Sequence, residues 1–519
     1  MQALKDLWRR NPSAVVAGAV AILVAFRLII VIATPLQLGP DEAQYWRWSR
    51  TLDFGYYSKP PLIAWVIAAS TAVFGDAEWA VRFFSPILHG VAAWFLYLLG
   101  KAAYDARIGA WSAAIYLLMP GVWLSSTIMS TDALVLPTWC VALYFLWRMR
   151  DAPTMANAAL AGAALGLAML AKYAALYLYL GAALAAIFDK ATRKALLSRA
   201  GIVMLVASVL VLSPNLIWNA LNKFATVSHT ADNADLGEAG FNPMHLVSFV
   251  GDQMAVFGPL TLIALAIGGA VVLGRKDKWT AERELWLLSF LLPPLVVILG
   301  QELISRAHAN WAATAYPAAA VLLASWIDRA MGRETSRIKM GPWIKAGVAI
   351  NALVGAMFAI AWVAPSLGDA VGATNAYKRV RGWDQTAQEL NAMAVKTNAS
   401  VVMFDEREVW HGVDYYGRNI RTLPPIRAWQ RGATPRSHAE EAGKMRPGED
   451  QRVLVASYVP EFRPQIRDDF ASIEPIGTLT IPLGPIKTRV LKLYLASGYH
   501  PQPRTPEYEK KYSETPPEE

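Results

Sequence analysis

Long apolar segments separated by short charged loops recur along this chain, and they limit the folds that it can adopt. A helix that crosses a bilayer needs roughly 20 mostly apolar residues. One further apolar segment, residues 62–74, is too short to cross and is expected to lie along the membrane interface. The sequence predicts an α-helical polytopic membrane protein with about eleven spans, at residues 13–33, 80–99, 108–124, 133–147, 156–170, 173–188, 200–218, 244–273, 285–304, 311–327 and 343–364.

The composition agrees with this prediction. Charged residues make up 17% of the 519, whereas about a quarter is usual in a soluble domain. The formal charge of +9 does not indicate a nucleic-acid partner, because the basic residues concentrate at the ends of apolar segments. Cys140 is the single cysteine, which excludes a disulfide within the chain and a multi-cysteine metal site.

Basic residues also predict the orientation of the helices. Lys5, Arg9 and Arg10 precede the first span, so the positive-inside rule places the N-terminus in the cytoplasm. The first apolar segment is too long for a signal-peptide core and is expected to be retained. Alternate loops carry the excess of Lys and Arg that this orientation requires, at residues 101–107, 148–150, 190–199, 275–278 and 329–345.

The composition changes near residue 365, which predicts a second domain outside the membrane. Residues 375–397 have the pattern of an amphipathic helix, and short β-type runs follow at 400–404, 452–456, 477–481 and 488–496. The predicted division is a membrane domain (1–364, with a first outer loop at 34–79), a small α/β domain (365–499) and a disordered tail (500–519).

The first outer loop contains an unusual density of acidic, basic and aromatic side chains. Adjacent carboxylates, Asp41 and Glu42, are candidates for a catalytic base that removes a proton from an attacking alcohol or amine. Alternatively, the Gly-Pro-Asp-Glu run is a turn in which Asp41 caps a short helix, and the two interpretations are compatible. The aromatic residues between the carboxylates and Lys59 are candidates for holding a sugar or lipid: Tyr45, Trp46, Trp48, Tyr56 and Tyr57.

Three further residues at predicted outer helix ends have two interpretations each. Lys59 precedes two prolines, which either aim it at a phosphate or open a helix that Ser58 caps. Asp132 either caps a helix or positions Lys59 or the acceptor. Lys172 lies between two apolar runs, where it either extends to the interface or binds phosphate.

Residues 305–311, Ser-Arg-Ala-His-Ala-Asn-Trp, form a second cluster. Arg306 offers a planar fork suited to phosphate oxygens, and His308 could act as a base, a phosphate donor or a metal ligand. Asn310 adds a third polar side chain, which is more than an interfacial Arg and Trp belt requires. Acidic groups and His308 could hold a divalent ion, but no ligand spacing demands a metal or another cofactor.

Common nucleotide-binding and zinc signatures are missing from the sequence, including a Walker-type loop, a Rossmann glycine fingerprint and HExxH. A sugar donor is therefore expected to be attached to a lipid. The order "apolar span, D-E-x-x-Y-W, aromatic loop, K-P-P-L" over residues 13–364 resembles the polyprenyl-phosphate-sugar-dependent glycosyltransferases of the C-type (GT-C) superfamily. Within that superfamily it is similar to bacterial relatives of protein O-mannosyltransferases and of the lipid A aminoarabinose transferase. The R-x-H-A-N-W stretch is most similar to the lipopolysaccharide galacturonosyltransferases.

This resemblance implies a membrane bundle with an outer cavity and inverting transfer from a polyprenyl-phosphate sugar. It implies Asp41 as the essential acid, and Lys59 near the donor phosphate. We expect Lys172 and Arg306 to help neutralise that phosphate, and His308 to orient a substrate. The aminoarabinose enzymes tend to have Arg where this chain has Gln44, which weakens that choice of donor.

The predicted function is glycosyl transfer to lipid A, lipopolysaccharide or another membrane glycolipid at the periplasmic face of a bacterial inner membrane, with the α/β domain in the periplasm. The alternatives are a protein O-glycosyltransferase of the same superfamily, a transporter or lipid flippase, and a non-catalytic assembly partner. Transporters commonly have repeated halves and midplane sites, whereas this sequence has no repeat and gathers its charged groups at one face.

Overall fold

The computed structural model describes residues 2–224, 226, 243–274, 282–305, 308–327, 330–333 and 336–513. The chain divides into two compact units. The first comprises Met1–Ala33 and Asp53–Ile360, and the second comprises Thr34–Leu52 and Ala361–Glu519. The segment that carries Asp41 therefore groups with the C-terminal residues, whereas the predicted boundaries assign it to the membrane domain.

The first unit is helical and apolar, as predicted. In the described part of the chain, five helices are long and apolar enough to cross a membrane: Pro12–Ala33, Glu78–Ala103, Arg199–Leu221, Glu282–Glu302 and Gly341–Val363. A bent pair, Met244–Phe257 and Pro259–Leu273, makes six if it counts as one span. Eleven spans are not confirmed, because several predicted spans are short or interrupted helices. The other elements of this unit are Gln2–Arg10, Leu62–Phe74, Ala106–Leu118, Pro120–Ser125, Asp132–Asp151, Met155–Ala171, Tyr173–Ala175, Leu176–Phe188, Lys190–Leu196, Ala309–Ala315, Tyr316–Trp326 and the hairpin Ala330–Arg333 with Ser336–Lys339.

The first span, Pro12–Ala33, buries one charged residue. Its exposed side chains are apolar, as in Ile22 and Ile29. Arg27 is fully buried, donates to the Leu117 carbonyl and lies 4.4 Å from the Trp123 ring centroid. A charged group at membrane depth is costly in lipid, so the helix face that carries Arg27 must pack against protein.

Small residues allow close packing between Met155–Ala171 and Arg199–Leu221. A Cβ added at Gly162 would lie 2.1 Å from the Met204 carbonyl oxygen, and one at Gly166 would lie 2.7 Å from Val211. This small-xxx-small spacing is typical of membrane helix pairs whose backbones approach closely. This close packing of the two helices supports the C-terminal end of Met155–Ala171, which Lys172 follows directly.

The segment predicted as one span at 244–273 is instead two helices, and the chain bends by 109° between them. The break falls at Gly258-Pro259, where Gly258 has φ +96°. Proline lacks the amide hydrogen that a continuous helix needs, and glycine readily adopts this φ. Asn351 donates to the Phe257 carbonyl, at 3.1 Å, and so satisfies a helix-end acceptor.

The second unit is built on a mixed five-stranded sheet. The strand order is Ile426–Ala428, Val401–Phe404, Val453–Ser457, Lys487–Tyr499 and Phe470–Gly484. The first three strands are parallel, and the last two form an antiparallel hairpin. The four predicted strand runs are confirmed, although the last two are parts of longer strands, and the Ile426–Ala428 strand was not predicted. Helices of this unit are Pro40–Ser49, Pro365–Ala370, Thr374–Tyr377, Trp383–Thr397, Arg407–Tyr416, His438–Ala442, Pro460–Phe462, Arg463–Asp468 and Pro506–Ser513.

Both faces of this sheet are covered. Val402 and Phe404 pack with Trp383 on one side, while Val401 and Met403 pack with Trp429 on the other. Parallel strands that are buried on both faces have continuous apolar sequences, and Val401–Phe404 is an example. The predicted helix at 375–397 is interrupted at Gly382, which has φ +73°.

Part of the tail predicted to be disordered is a helix, Pro506–Ser513. Arg504 next to it pairs with buried Asp469, and Lys511 lies 3.0 Å from Asp468. These ion pairs dock a segment whose composition alone indicates disorder.

Candidate active site

The helix that carries Asp41, Pro40–Ser49, begins with a favourable end sequence. Pro40 occupies the first turn, where a missing amide hydrogen costs nothing. Gly39 is the cap residue, and its amide donates to Glu42 Oε2 at 2.9 Å. The interpretation of Asp41 as the cap is therefore wrong, since Glu42 makes the capping contact and Asp41 points elsewhere.

Asp41 contacts an arginine that the sequence analysis did not single out. Arg407 donates to Asp41 Oδ1 at 3.2 Å and to Gln44 Oε1 at 3.1 Å. Half of the Asp41 side chain is exposed. Among the described residues, Oδ2 of Asp41 has no hydrogen-bond donor. The carboxylate is thus held through one oxygen and offers the other.

The electrostatics keep Arg407 positively charged. Burial lowers the pKa of Arg407, but the carboxylates of Asp41, Glu408 and Glu406 outweigh burial and raise it. Arg407 is the first residue of the helix Arg407–Tyr416, and two residues near the end of this helix also contact the Pro40–Ser49 helix. Trp46 meets Tyr415 edge-on at 4.9 Å between ring centroids, and Asp414 lies 3.6 Å from Arg47.

Tyr45, a predicted substrate-binding residue, is buried in this packing. Its side chain is 6% exposed, and its ring lies 5.4 Å from Trp48. Trp46 and Trp48 are buried as well. A role of Tyr45 in substrate binding stays a prediction, and its observed contacts stabilise the helix that carries Asp41.

Lys59 lies in the first unit, in a loop that distant residues hold in place. The Asn215 side chain donates to the Phe54 carbonyl at 2.7 Å, and Thr226 donates to the Tyr56 carbonyl at 2.6 Å. The Tyr56 amide donates to the Lys59 carbonyl at 3.1 Å, which closes the turn. Ser58 does not cap the next helix, because Leu62–Phe74 begins only after Pro61. Tyr56 is buried, whereas Tyr57 and Lys59 are partly exposed.

Three of the predicted residues meet at one point of the first unit. Lys172 Nζ lies 2.7 Å from Asp132 Oδ1, and Asn310 Nδ2 lies 2.5 Å from Asp132 Oδ2. Asp132 is 6% exposed and begins the helix Asp132–Asp151, for which Thr131 is the cap residue. Lys172 and Asn310, which lie 40 and 178 positions after Asp132 in the sequence, thus satisfy its buried carboxylate, and the roles of these three residues toward a substrate stay predictions.

The second predicted cluster is only partly described. Arg306 lies outside the described residues. His308 is exposed, and its ring meets Trp311 edge-on at 5.4 Å. Gln253 anchors this turn by donating to the Ala309 carbonyl at 2.9 Å. Within the described part of the chain, no group of three or more His, Cys, Asp or Glu side chains is arranged to hold a metal ion.

Sequence reasoning missed Arg407, Asn215 and Gln253. Arg407 and Gln253 each lie on a helix that carries other polar residues, so their residue types alone gave no signal. Asn215 follows Pro214 inside an apolar span. A polar amide within such a span is unusual, and this signal in the sequence could have identified Asn215 as a residue with a specific polar partner.

Comparison with known proteins identifies the family. The profile of dolichyl-phosphate-mannose-protein mannosyltransferases matches residues 58–218. The lipid A galacturonosyltransferase RgtD of Rhizobium johnstonii is 32% identical over 437 residues, which are 81% of this chain and 88% of that protein. The undecaprenyl phosphate-alpha-4-amino-4-deoxy-L-arabinose arabinosyl transferase 1 of Pseudomonas fluorescens is 27% identical over 56% of this chain and 60% of that protein.

Among solved structures, ArnT from Cupriavidus metallidurans bound to undecaprenyl phosphate has the same fold. It is 14% identical, with a TM-score of 0.61, over 92% of this chain and 98% of ArnT. Identity of 32% over most of both chains, together with this fold, is sufficient for an assignment. The chain therefore belongs to the family of the lipid A galacturonosyltransferase RgtD and is a C-type glycosyltransferase that uses a polyprenyl-phosphate-linked sugar.

Proposed function

We propose that this enzyme transfers one sugar, galacturonic acid, from a polyprenyl phosphate to lipid A or a related lipopolysaccharide at the periplasmic face of the inner membrane. The observation that carries the proposal is the 32% identity with RgtD across 88% of that protein. Its name specifies both the sugar and the acceptor. The arabinosyl transferase relative supports the donor class, since its name contains undecaprenyl phosphate.

In this proposal Asp41 is the catalytic base. An acceptor hydroxyl attacks the anomeric carbon, its proton passes to Asp41, and the bond between that carbon and the phosphate oxygen breaks. Asp41 suits the role better than Glu42, because Glu42 is buried and bonded to the Gly39 amide. Arg407 and Gln44 act as positioning residues for Asp41.

The departing polyprenyl phosphate needs compensation for its negative charge. We assign Lys59 and Arg306 to this task, with Lys172 contributing from its pair with Asp132. His308, Asn310 and Tyr57 then orient substrate groups. Charge stabilisation of a leaving group is effective where water is excluded and the donors are fixed in advance.

Mass spectrometry of lipopolysaccharide and membrane lipids tests the proposal in four strains: the native strain, a deletion, Asp41→Asn and Asp384→Asn, with the variants at equal protein level. Asp384 is exposed in the same unit and is a matched control. The deletion and Asp41→Asn should both lose the mass of one hexuronic acid, while Asp384→Asn keeps it. A sugar retained by Asp41→Asn would reject the base, and an unchanged lipid profile in the deletion would reject the function.

A further inference from the structure

A basic cavity of about 460 Å³ lies within the second unit. This volume is in the range of ligand pockets, roughly 300–1,000 Å³. The cavity is partly open and is lined by the starts of two helices, Trp383–Thr397 and Arg407–Tyr416, by residues 375–379, and by the tip of the hairpin that joins the last two strands. Its charged lining residues are Lys378, Arg379, Lys487, Arg489 and Glu408.

The charges in the basic cavity are unbalanced. Glu408 is the one carboxylate in the lining, and it pairs with Arg379. Neither Lys378 nor Lys487 has an ion-pair partner within 4 Å among the residues that the structure describes. Both lysines are exposed, so their charges are available to a ligand. The cavity therefore has an excess of positive charge that suits an anion.

Arg489 forms a rigid wall of the basic cavity. Its guanidinium lies 3.3 Å from the Trp383 ring centroid and donates to the Gly382 carbonyl at 3.1 Å and to Thr386 at 2.9 Å. Burial lowers the pKa of Arg489 to about 10, so it is still protonated at neutral pH. Because these donors are already engaged within the protein, Arg489 contributes a fixed positive charge to the wall, while the exposed side chains of the lining make the direct contacts to a ligand.

Neutral polar side chains complete the lining. Asn375, Thr488 and the Tyr458 hydroxyl are exposed hydrogen-bonding groups at the edge of the basic cavity. Such groups match the hydroxyls of a sugar, whereas the cations match a phosphate or carboxylate on it. The combination favours an anionic saccharide over a simple ion.

The wall of the basic cavity is also bonded to the segment that leads to Asp41. The Gln37 amide donates to the Val380 carbonyl at 2.9 Å, and the Trp383 amide donates to Gln37 Oε1 at 2.7 Å. Glu408 of the cavity follows Arg407, which contacts Asp41. A ligand in the cavity would therefore be bound on the same framework as the proposed base.

We propose that the basic cavity binds a phosphorylated or carboxylated sugar of the acceptor, away from the reacting hydroxyl. This proposal rests on the proposed function, because it takes the acceptor to be an anionic glycolipid. The donor phosphate is assigned to residues of the first unit, so the two anions use different cations.

Binding to the purified full-length protein in detergent tests the basic cavity directly. The probes are a bisphosphorylated glucosamine disaccharide, the same disaccharide without phosphates, and inorganic phosphate. Lys378→Gln with Lys487→Gln removes two cavity charges, whereas Lys396→Gln with Lys444→Gln removes two exposed charges elsewhere in the unit. We expect the cavity variant to bind the bisphosphorylated disaccharide at least roughly tenfold more weakly than the native and control proteins.

Two binding results would overturn this inference. The first is equal affinity of the native and cavity-variant proteins for the bisphosphorylated disaccharide. The second is an affinity for inorganic phosphate equal to that for the bisphosphorylated disaccharide. Such a result would identify the cavity as a site for a free anion.

Transfer kinetics separate this inference from the proposed function. If both hold, the cavity variant has a raised KM for the acceptor, an unchanged KM for the donor and a kcat within about twofold of native. If the native protein transfers no sugar to the phosphorylated acceptor, the proposed function fails and the binding measurement still decides whether the cavity takes an anionic saccharide. A variant with native KM for the acceptor would overturn the acceptor assignment.

Discussion

At the scale of single residues, one buried histidine of the second unit has a pKa that bears on acid stability. His411 lies on the same helix as Arg407 and is 1% exposed. Both of its ring nitrogens are buried without a hydrogen-bond partner in the described residues. Burial, reinforced by the charges of His438, Arg407 and Arg47, lowers the pKa of His411 well below 6.5.

Replacing His411 by Phe should remove part of the acid sensitivity of the protein. Because His411 is neutral in the folded protein, the unfolded state binds one more proton below pH 6.5. The free energy of unfolding therefore falls by about 1.4 kcal/mol for each pH unit by which the pH is lowered below 6.5. The thermal midpoint in detergent should drop between pH 7.5 and 5.5, and it should drop less in His411→Phe. An equal drop in both proteins would contradict this assignment.

The Asp132 and Lys172 pair makes a second prediction at this scale. Asp132→Asn leaves a lysine without its counter-charge, and Lys172→Met leaves a buried carboxylate with Asn310 alone. Each single variant should lose about 3 kcal/mol, as when other buried pairs are broken. The double variant should lose less than the sum, with a coupling of about 0.5–3 kcal/mol. Thermal denaturation of the native protein, the two single variants and the double variant measures this double-mutant cycle. Losses of stability that simply add would show that the two residues are not coupled.

Residue types revealed candidates in the sequence, but not their partners. Asp132, Lys172 and Asn310 were all predicted as polar groups of interest, and they do meet. Their contact joins segments far apart in sequence, so no local pattern encodes it. Arg407 could not be predicted for the same reason, because its significance comes from a partner 366 positions away.

At the scale of elements, glycine and proline account for the main difference between prediction and structure. Hydropathy over 244–273 is continuous, and a hydropathy window alone therefore predicts one span. The Gly258-Pro259 pair is the local signal for the bend, and it was available in the sequence. By contrast, the Ile426–Ala428 strand has three residues after two prolines, and only its pairing with Val401–Phe404 defines it.

Gly258→Ala should destabilise the bent pair. A Cβ at this position would lie 2.1 Å from Asn351 Oδ1, and φ +96° is strained for alanine. We expect a loss of roughly 1–3 kcal/mol, seen as a lower thermal midpoint. Gly269→Ala, in the following helix, has open space and should be neutral or stabilising by up to about 1 kcal/mol. Equal effects of the two substitutions would argue against strain at the bend.

At the scale of the whole molecule, the orientation in the membrane is open to a direct test. Cys140 is fully buried, so a membrane-impermeant maleimide should give little background labelling. Single cysteines at exposed Lys396 and Lys194 then report the two sides. If the C-terminal unit is periplasmic, Lys396→Cys should be labelled in cells with a permeable outer membrane. Lys194→Cys should be labelled only after the inner membrane is opened, and the reverse pattern would invert the predicted topology.

The grouping of the Asp41 helix with the C-terminal residues has a consequence for biosynthesis. The ribosome makes Asp41 early, but Arg407, which holds its carboxylate, follows 366 residues later. At about 5–20 residues per second, the Asp41 helix waits roughly 20–70 s for that partner. The described spans, the last of which ends at Val363, are therefore all synthesised before the chain can orient its proposed base.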